Sequence, residues 1–239
     1  MKPDASEFTV LRVAACRANI ELARRGLARF TFGNASAVDR ELGVVAIKPS
    51  GVPYDDLTPE SMVVVELGGR IVDGDLRPSS DLATHLELYR AFSGIGGVVH
   101  THSHYATVWA QAQREIPCFG TTHADYFHGP VPVTESMPED DIAGEYEKNT
   151  GDAIVRRFRN HGAGSIPGVL VANHGPFTWG PDVTSAAHNA VVLESIARMA
   201  LFTITINREA SAIGKPLHDR HYLRKHGAKA YYGQTKETK

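Results

Sequence analysis

The 239-residue sequence has only two cysteines, Cys16 and Cys118. Two thiols make no disulfide framework, so they read as buried or incidental groups in a reducing compartment. An excess of basic charge is also missing. Lys plus Arg number 25 against 27 Asp plus Glu, for a formal net charge of -2. That balance argues against an electrostatic nucleic-acid binder. The first eight residues hold no apolar stretch of the signal-peptide kind. No apolar run approaches the roughly 18 residues of a membrane span. Repeats and low-complexity tracts are absent, and the 22 Gly and 13 Pro are scattered as punctuation. The expectation is one cytoplasmic domain over 1–239, with no membrane and no nucleic-acid partner. It ends in a short, mobile, charged tail from about residue 215.

What the sequence does have is histidine. There are twelve, and six of them lie between His85 and His128. Around them the hydrophobic pattern places the elements. A helix is expected over 7–28, with Leu11, Ala15, Ala18 and Leu22 on one face. A strand is expected at Val44–Ile47, and Gly68-Gly69 signals a hairpin between 62–67 and 70–72. Pro78-Ser79-Ser80-Asp81 opens a helix that Ser79 or Ser80 can cap. A buried strand at Val98–His102 leads into a helix over His104–Ala112, capped by Ser103. A loop and strand through Thr121 and Val133, a helix at Asp140–Arg159, a strand at Gly168–Ala172 and a helix at about Thr184–Ile206 follow. Irregular alternation of this kind predicts a layered α/β/α fold and not a strict βαβ repeat.

Two chemistries emerge from spacing. His100 and His102, two apart on the predicted strand, would share a face at its C-terminal end. His174 closes a second strand. Three neutral imidazoles suit zinc, and Asp81 is a candidate fourth ligand. Read alone, an H-x-H pair is as often surface or hydrogen-bonding histidine. Cupins and amidohydrolases use the pair too, but the helix after His102 and the chain length fit neither. The turns at Gly33-Asn34, Lys48-Pro49-Ser50-Gly51 and Pro78-Ser79-Ser80 can present backbone N–H groups to a phosphate, with Lys48 adding charge. Each read singly is an ordinary turn or cap.

The ordered set Thr31-Phe32-Gly33-Asn34-Ala35-Ser36, Lys48-Pro49-Ser50-Gly51, Pro78-Ser79-Ser80-Asp81, His100-Thr101-His102 and Asn173-His174-Gly175 resembles the class II aldolase/epimerase family. Gly120-Thr121-Thr122-His123-Ala124-Asp125-Tyr126 and the tail from His221 to Gln234 are most similar to its L-ribulose-5-phosphate 4-epimerase branch. The resemblance runs from about residue 8 to 234. It implies a three-layer α/β/α sandwich around a largely antiparallel mixed sheet. It implies a homotetramer with active sites between subunits, and one Zn2+ per subunit, with Mn2+ or Co2+ as substitutes. His100, His102 and His174 would hold the metal, with Asp81 beside it where the family's aldolases usually carry Glu. Asn34, Lys48, Ser50, Gly51, Ser79, Ser80, Thr121 and His221 would bind the sugar phosphate.

The implied reaction inverts C4 of L-ribulose 5-phosphate by retro-aldol cleavage and re-addition. The implied proton carriers are Asp125 and Tyr232, the latter from a neighbouring subunit. The alternatives are a sugar-phosphate aldolase of the L-fuculose-phosphate type and a non-catalytic adducin-head-like binding module. Glu147 reads as a solvated or supporting helix residue and His85 as a candidate orienter of the site. His104 faces into a new helix. His123, His128, His161, His188, His218 and His226 read as structural or surface.

Overall fold

The computed structural model describes residues 5–233. Seven strands form one sheet in the order β4-β3-β2-β1-β5-β7-β6. They are β1 (Asn34–Asp39), β2 (Val44–Ile47), β3 (Val63–Glu66), β4 (Ile71–Asp73), β5 (Gly97–His100), β6 (Gly168–Val171) and β7 (Gly175–Gly180). Every neighbouring pair is antiparallel. The helices are α1 (Thr9–Arg24), α2 (Leu82–Ala91), α3 (His104–Gln111), α4 (Thr121–Ala124), α5 (Glu139–Ala143), α6 (Tyr146–Arg157), α7 (Val183–Ile206) and α8 (Lys215–His226).

The strands read as apolar runs because both faces of the sheet are covered. Alternate residues feed two cores. Val45, Val63, Val65 and Val98 join the side chains of α2, α3, α6 and the C-terminal half of α7. Val44, Ala46, Val64 and Val99 join α1 and the N-terminal half of α7. The result is the expected three-layer sandwich, with a sheet that is antiparallel throughout. By length and composition α7, with 24 residues, could cross a membrane. It has no unbroken apolar run because Glu194 and Arg198 interrupt it. Here it is a core helix, with Ala186, Leu193, Ile196 and Ala197 buried.

Several expectations are corrected. β5 stops at His100, so His102 lies in the following loop and does not share a strand face with it. β1 and β7 have no counterpart in the sequence pattern, because Gly, Asn, Ser and Pro dilute their apolar character. The predicted strand through Thr121 is the short helix α4, and Val131 and Val133 make only isolated bridges. The single helix expected over 140–159 breaks at Gly144 into α5 and α6. Neither Ser79 nor Ser80 caps α2, whose N-cap is Asp81 without a side-chain bond. Ser103 is the N-cap of α3, but its hydroxyl makes no cap bond. The predicted mobile tail contains α8; residues 234–239 lie outside the described residues.

Candidate active site

His100, His102 and His174 converge, with one nitrogen from each lying within 4.8 Å of the others. His100 comes from the end of β5, His102 from the loop two residues on, and His174 from the turn joining β6 to β7. That turn needs Asn173 at φ 60 and a glycine next to His174. A Cβ on Gly175 would sit 2.8 Å from the Thr101 carbonyl oxygen. His100 is fully buried and stacks on Phe177, with ring centroids 4.2 Å apart. Its Nδ1 lies 3.0 Å from the Pro176 carbonyl, to which it donates, and this turns an unprotonated Nε2 toward the other two rings. Burial holds His100 neutral, pushing it down to about 3. His102 and His174 are lowered as well, again by burial first. The Nε2 atoms of His100 and His102 are 3.0 Å apart. Two nitrogens bound to tetrahedral zinc are about 3.3 Å apart, so the donor set fits a divalent metal. Among the described residues Asp81 is not part of this close group.

Asp81 is instead held beside it. Asn34 Nδ2 donates to an Asp81 carboxylate oxygen at 2.6 Å and to Ser79 Oγ at 2.9 Å. Burial opposes ionisation of Asp81, but His100, His85, the Asn34 bond and His174 outweigh it and hold the carboxyl low. Asn34 Oδ1 is buried and has no hydrogen-bond partner among the described residues. The predicted phosphate turns are neighbours in space. The Ser50 N–H donates to the Arg77 carbonyl and the Ser79 N–H to the Lys48 carbonyl, both at 2.9 Å, and Pro49 pairs with Pro78. Ser50, Gly51 and Ser80 lie at the surface beside them. Lys48 is 1% exposed and without a carboxylate partner among the described residues; its Nζ lies 5.0 Å from the Tyr54 ring centre. Burial lowers its pKa.

Asp125, Thr121, His221 and Tyr232 form a second group. The Asp125 carboxylate accepts from His221 Nδ1 at 3.0 Å and from Arg224 at 2.8–3.2 Å, with Lys225 Nζ at 3.5 Å. Burial works to raise the Asp125 pKa, but these donors and charges prevail and lower it. Thr121 enters through its backbone, accepting from the Asp125 N–H. Tyr232 is exposed, with Arg224 and Lys225 at 4.9 and 4.5 Å from its ring centre. Among the described residues no hydrogen bond or ion pair joins this group to the three histidines.

Tyr146 and Phe177, beside the histidines, carry no sequence signal. Tyr146 Oη is 3.4 Å from His174 Nδ1, whereas its neighbour Glu147 touches α2 through its backbone carbonyl, which accepts from Thr84. Phe177 escapes the sequence pattern because it lies on β7. His85 is buried with Nδ1 bonded to Ser36 Oγ at 2.7 Å, and Tyr89 completes that network. His104 is exposed.

The fold has relatives. An L-fuculose 1-phosphate aldolase superposes with a TM-score of 0.77 at 24% identity, over 90% of this chain and 95% of that one. A putative aldolase/epimerase/decarboxylase, YgbL from Klebsiella pneumoniae, gives 0.69 at 27% identity, over 88% and 97%. An L-fuculose-1-phosphate aldolase from Thermus thermophilus gives 0.66 at 23%, over 83% and 97%. The profile of the Class II Aldolase and Adducin N-terminal domain matches residues 13–201. Histidine group, fold and profile agree, and the chain belongs to the class II aldolase and adducin N-terminal domain family.

Proposed function

We propose that this protein is a metal-dependent enzyme that epimerises L-ribulose 5-phosphate to D-xylulose 5-phosphate at C4. The observation that carries this reading is the meeting of the histidine group with the three polar turns around Asn34 and Asp81. C4 is β to the C2 carbonyl and carries no acidic proton, so deprotonation cannot invert it. Cleavage of the C3–C4 bond can, leaving a dihydroxyacetone enediolate and glycolaldehyde phosphate. The aldehyde turns over and the bond re-forms on its other face. A divalent cation, with zinc the first choice and Mn2+ or Co2+ able to replace it, supplies Lewis-acid stabilisation of the developing oxyanions when bound by His100, His102 and His174.

The chain's own groups do the rest. Lys48, Asn34, Ser50, Gly51, Ser79 and Ser80 hold the phosphate, so the aldehyde fragment stays bound while it rotates. Asp81 steadies the sugar hydroxyls beside the histidines. Two proton carriers serve the two faces. One accepts the C4 hydroxyl proton as the bond breaks, and the other returns a proton to the aldehyde oxygen as the bond re-forms. We assign these roles to Asp125 and Tyr232. Arg224 and Lys225 lie beside the Tyr232 ring. Both carriers sit in a group apart from the histidines, so a neighbouring copy supplies them, in a homotetramer with sites between subunits. His221 and Thr121 complete that neighbouring edge. Chelation followed by add-back of Zn2+, Mn2+ or Co2+ tests the reading. Conversion that stops with the chelator and returns with the metal supports it; conversion indifferent to both contradicts it.

A further inference from the structure

The helix that follows His102 is tied down by a residue with no place in the chemistry above. α3 begins two residues after His102, and its own N-cap serine leaves the first turn without a side-chain acceptor. Glu194, on α7 and far away in sequence, fills that role. Its carboxylate oxygens accept from the Tyr105 N–H at 2.9 Å and the Ala106 N–H at 3.0 Å. A carboxylate on a helix N-terminus satisfies free N–H groups and favours the dipole. Farther along, the Trp109 ring N–H donates to the Ala197 carbonyl of α7 at 2.9 Å. The opposite end of α3 reaches the other ligand-bearing turn. The Asn173 N–H donates to the Ala110 carbonyl at 3.0 Å, and Gln113 Nε2 to Asn173 Oδ1 at 3.1 Å. His174 is the next residue. α3 therefore spans the two segments that carry His102 and His174, and α7 holds it in place.

We propose that Glu194 is a positioning residue for the metal site: by anchoring α3 to α7 it sets the separation of His102 from His174. The inference rests on the reading of the three histidines as metal ligands, and it adds a residue outside the close group that governs metal affinity.

The test is Co2+ binding to the full-length protein, read from the visible absorption of the bound ion and by competition with a chromophoric chelator. Glu194→Ala is expected to bind Co2+ about tenfold or more weakly, the scale seen when supports of metal ligands are removed. Glu194→Gln keeps the volume and one acceptor, so it is expected to fall between wild type and Ala. It carries the test should the alanine variant fail to fold. Gln113→Ala, in the exposed turn just beyond the C-terminal end of α3, is expected to weaken binding in the same direction. Folded Glu194 variants with Co2+ affinity within about twofold of wild type and an unchanged spectrum would overturn the role of Glu194. Wild-type protein that takes up no Co2+ would instead overturn the metal reading on which the inference stands.

Discussion

Asn34 lies directly opposite His100 in the ladder between β1 and β5. The pairing joins the two halves of the site, since Asn34 holds Asp81 and Ser79 while His100 is the buried member of the histidine group. Asn34→Ala is expected to release Asp81 and cost about 1–3 kcal/mol of stability through unmet buried polar groups. It is also expected to lower kcat/KM by more than the stability loss explains. Denaturant melts and steady-state kinetics on the same preparation check this.

Gly33 packs its backbone against the end of β5. A Cβ there would lie 2.8 Å from the His100 carbonyl oxygen, at a φ of +79. Gly33→Ala is expected to destabilise the fold by about 1–2 kcal/mol from the backbone conformation alone, with the clash added. Since the strain falls on His100, metal affinity should fall with it. A thermal melt paired with a metal titration measures both.

His100→Asn is expected to remove bound metal and activity together while the protein stays folded. Metal analysis of the purified variant, alongside circular dichroism, checks the pairing. Full activity with no metal would refute the assignment of the site.

Tyr232→Phe is expected to leave metal content and fold untouched, because the ring is exposed on its own chain. Turnover should drop by about 10²–10⁴, the usual worth of a positioned proton carrier. Retention of most activity would remove Tyr232 from the chemistry.

Burial pushes His85 and His123 down to about 4 each, with Asp81 partly opposing the shift at His85 and the Gly129 carbonyl at His123. In the unfolded chain both titrate near pH ~6.5. Between those values the unfolded state binds protons that the folded state refuses, so stability falls as pH drops from about 6.5 toward 4. Urea midpoints of metal-free protein should be lower at about pH 5 than at about pH 7.5, and equal midpoints would contradict the assignment.

The site is legible in the sequence to the extent that it is built from contiguous motifs. His100-Thr101-His102 and Asn173-His174-Gly175 each carry a ligand on a local turn, and the fold brings both to one place. A shared strand face does not explain the His100 and His102 pair, since β5 ends at His100 and loop geometry aims His102. β1 escapes the pattern because its small and polar residues, Asn34, Ala35 and Ser36, are buried by tertiary packing that no local pattern encodes. Glu194 is invisible for a similar reason. Its partners on α3 are about ninety positions away, and a lone glutamate in an apolar helix has no spacing signature. Tyr146 hides in a predicted continuous helix whose break at Gly144 swings it toward His174.

In the proposed epimerisation the fragments are rejoined and not released. Metal-loaded protein incubated with L-ribulose 5-phosphate tests it most directly, with both products followed over one time course. D-xylulose 5-phosphate is expected to accumulate to equilibrium without free glycolaldehyde phosphate. Free glycolaldehyde phosphate and dihydroxyacetone without D-xylulose 5-phosphate would contradict it and mark the protein as an aldolase.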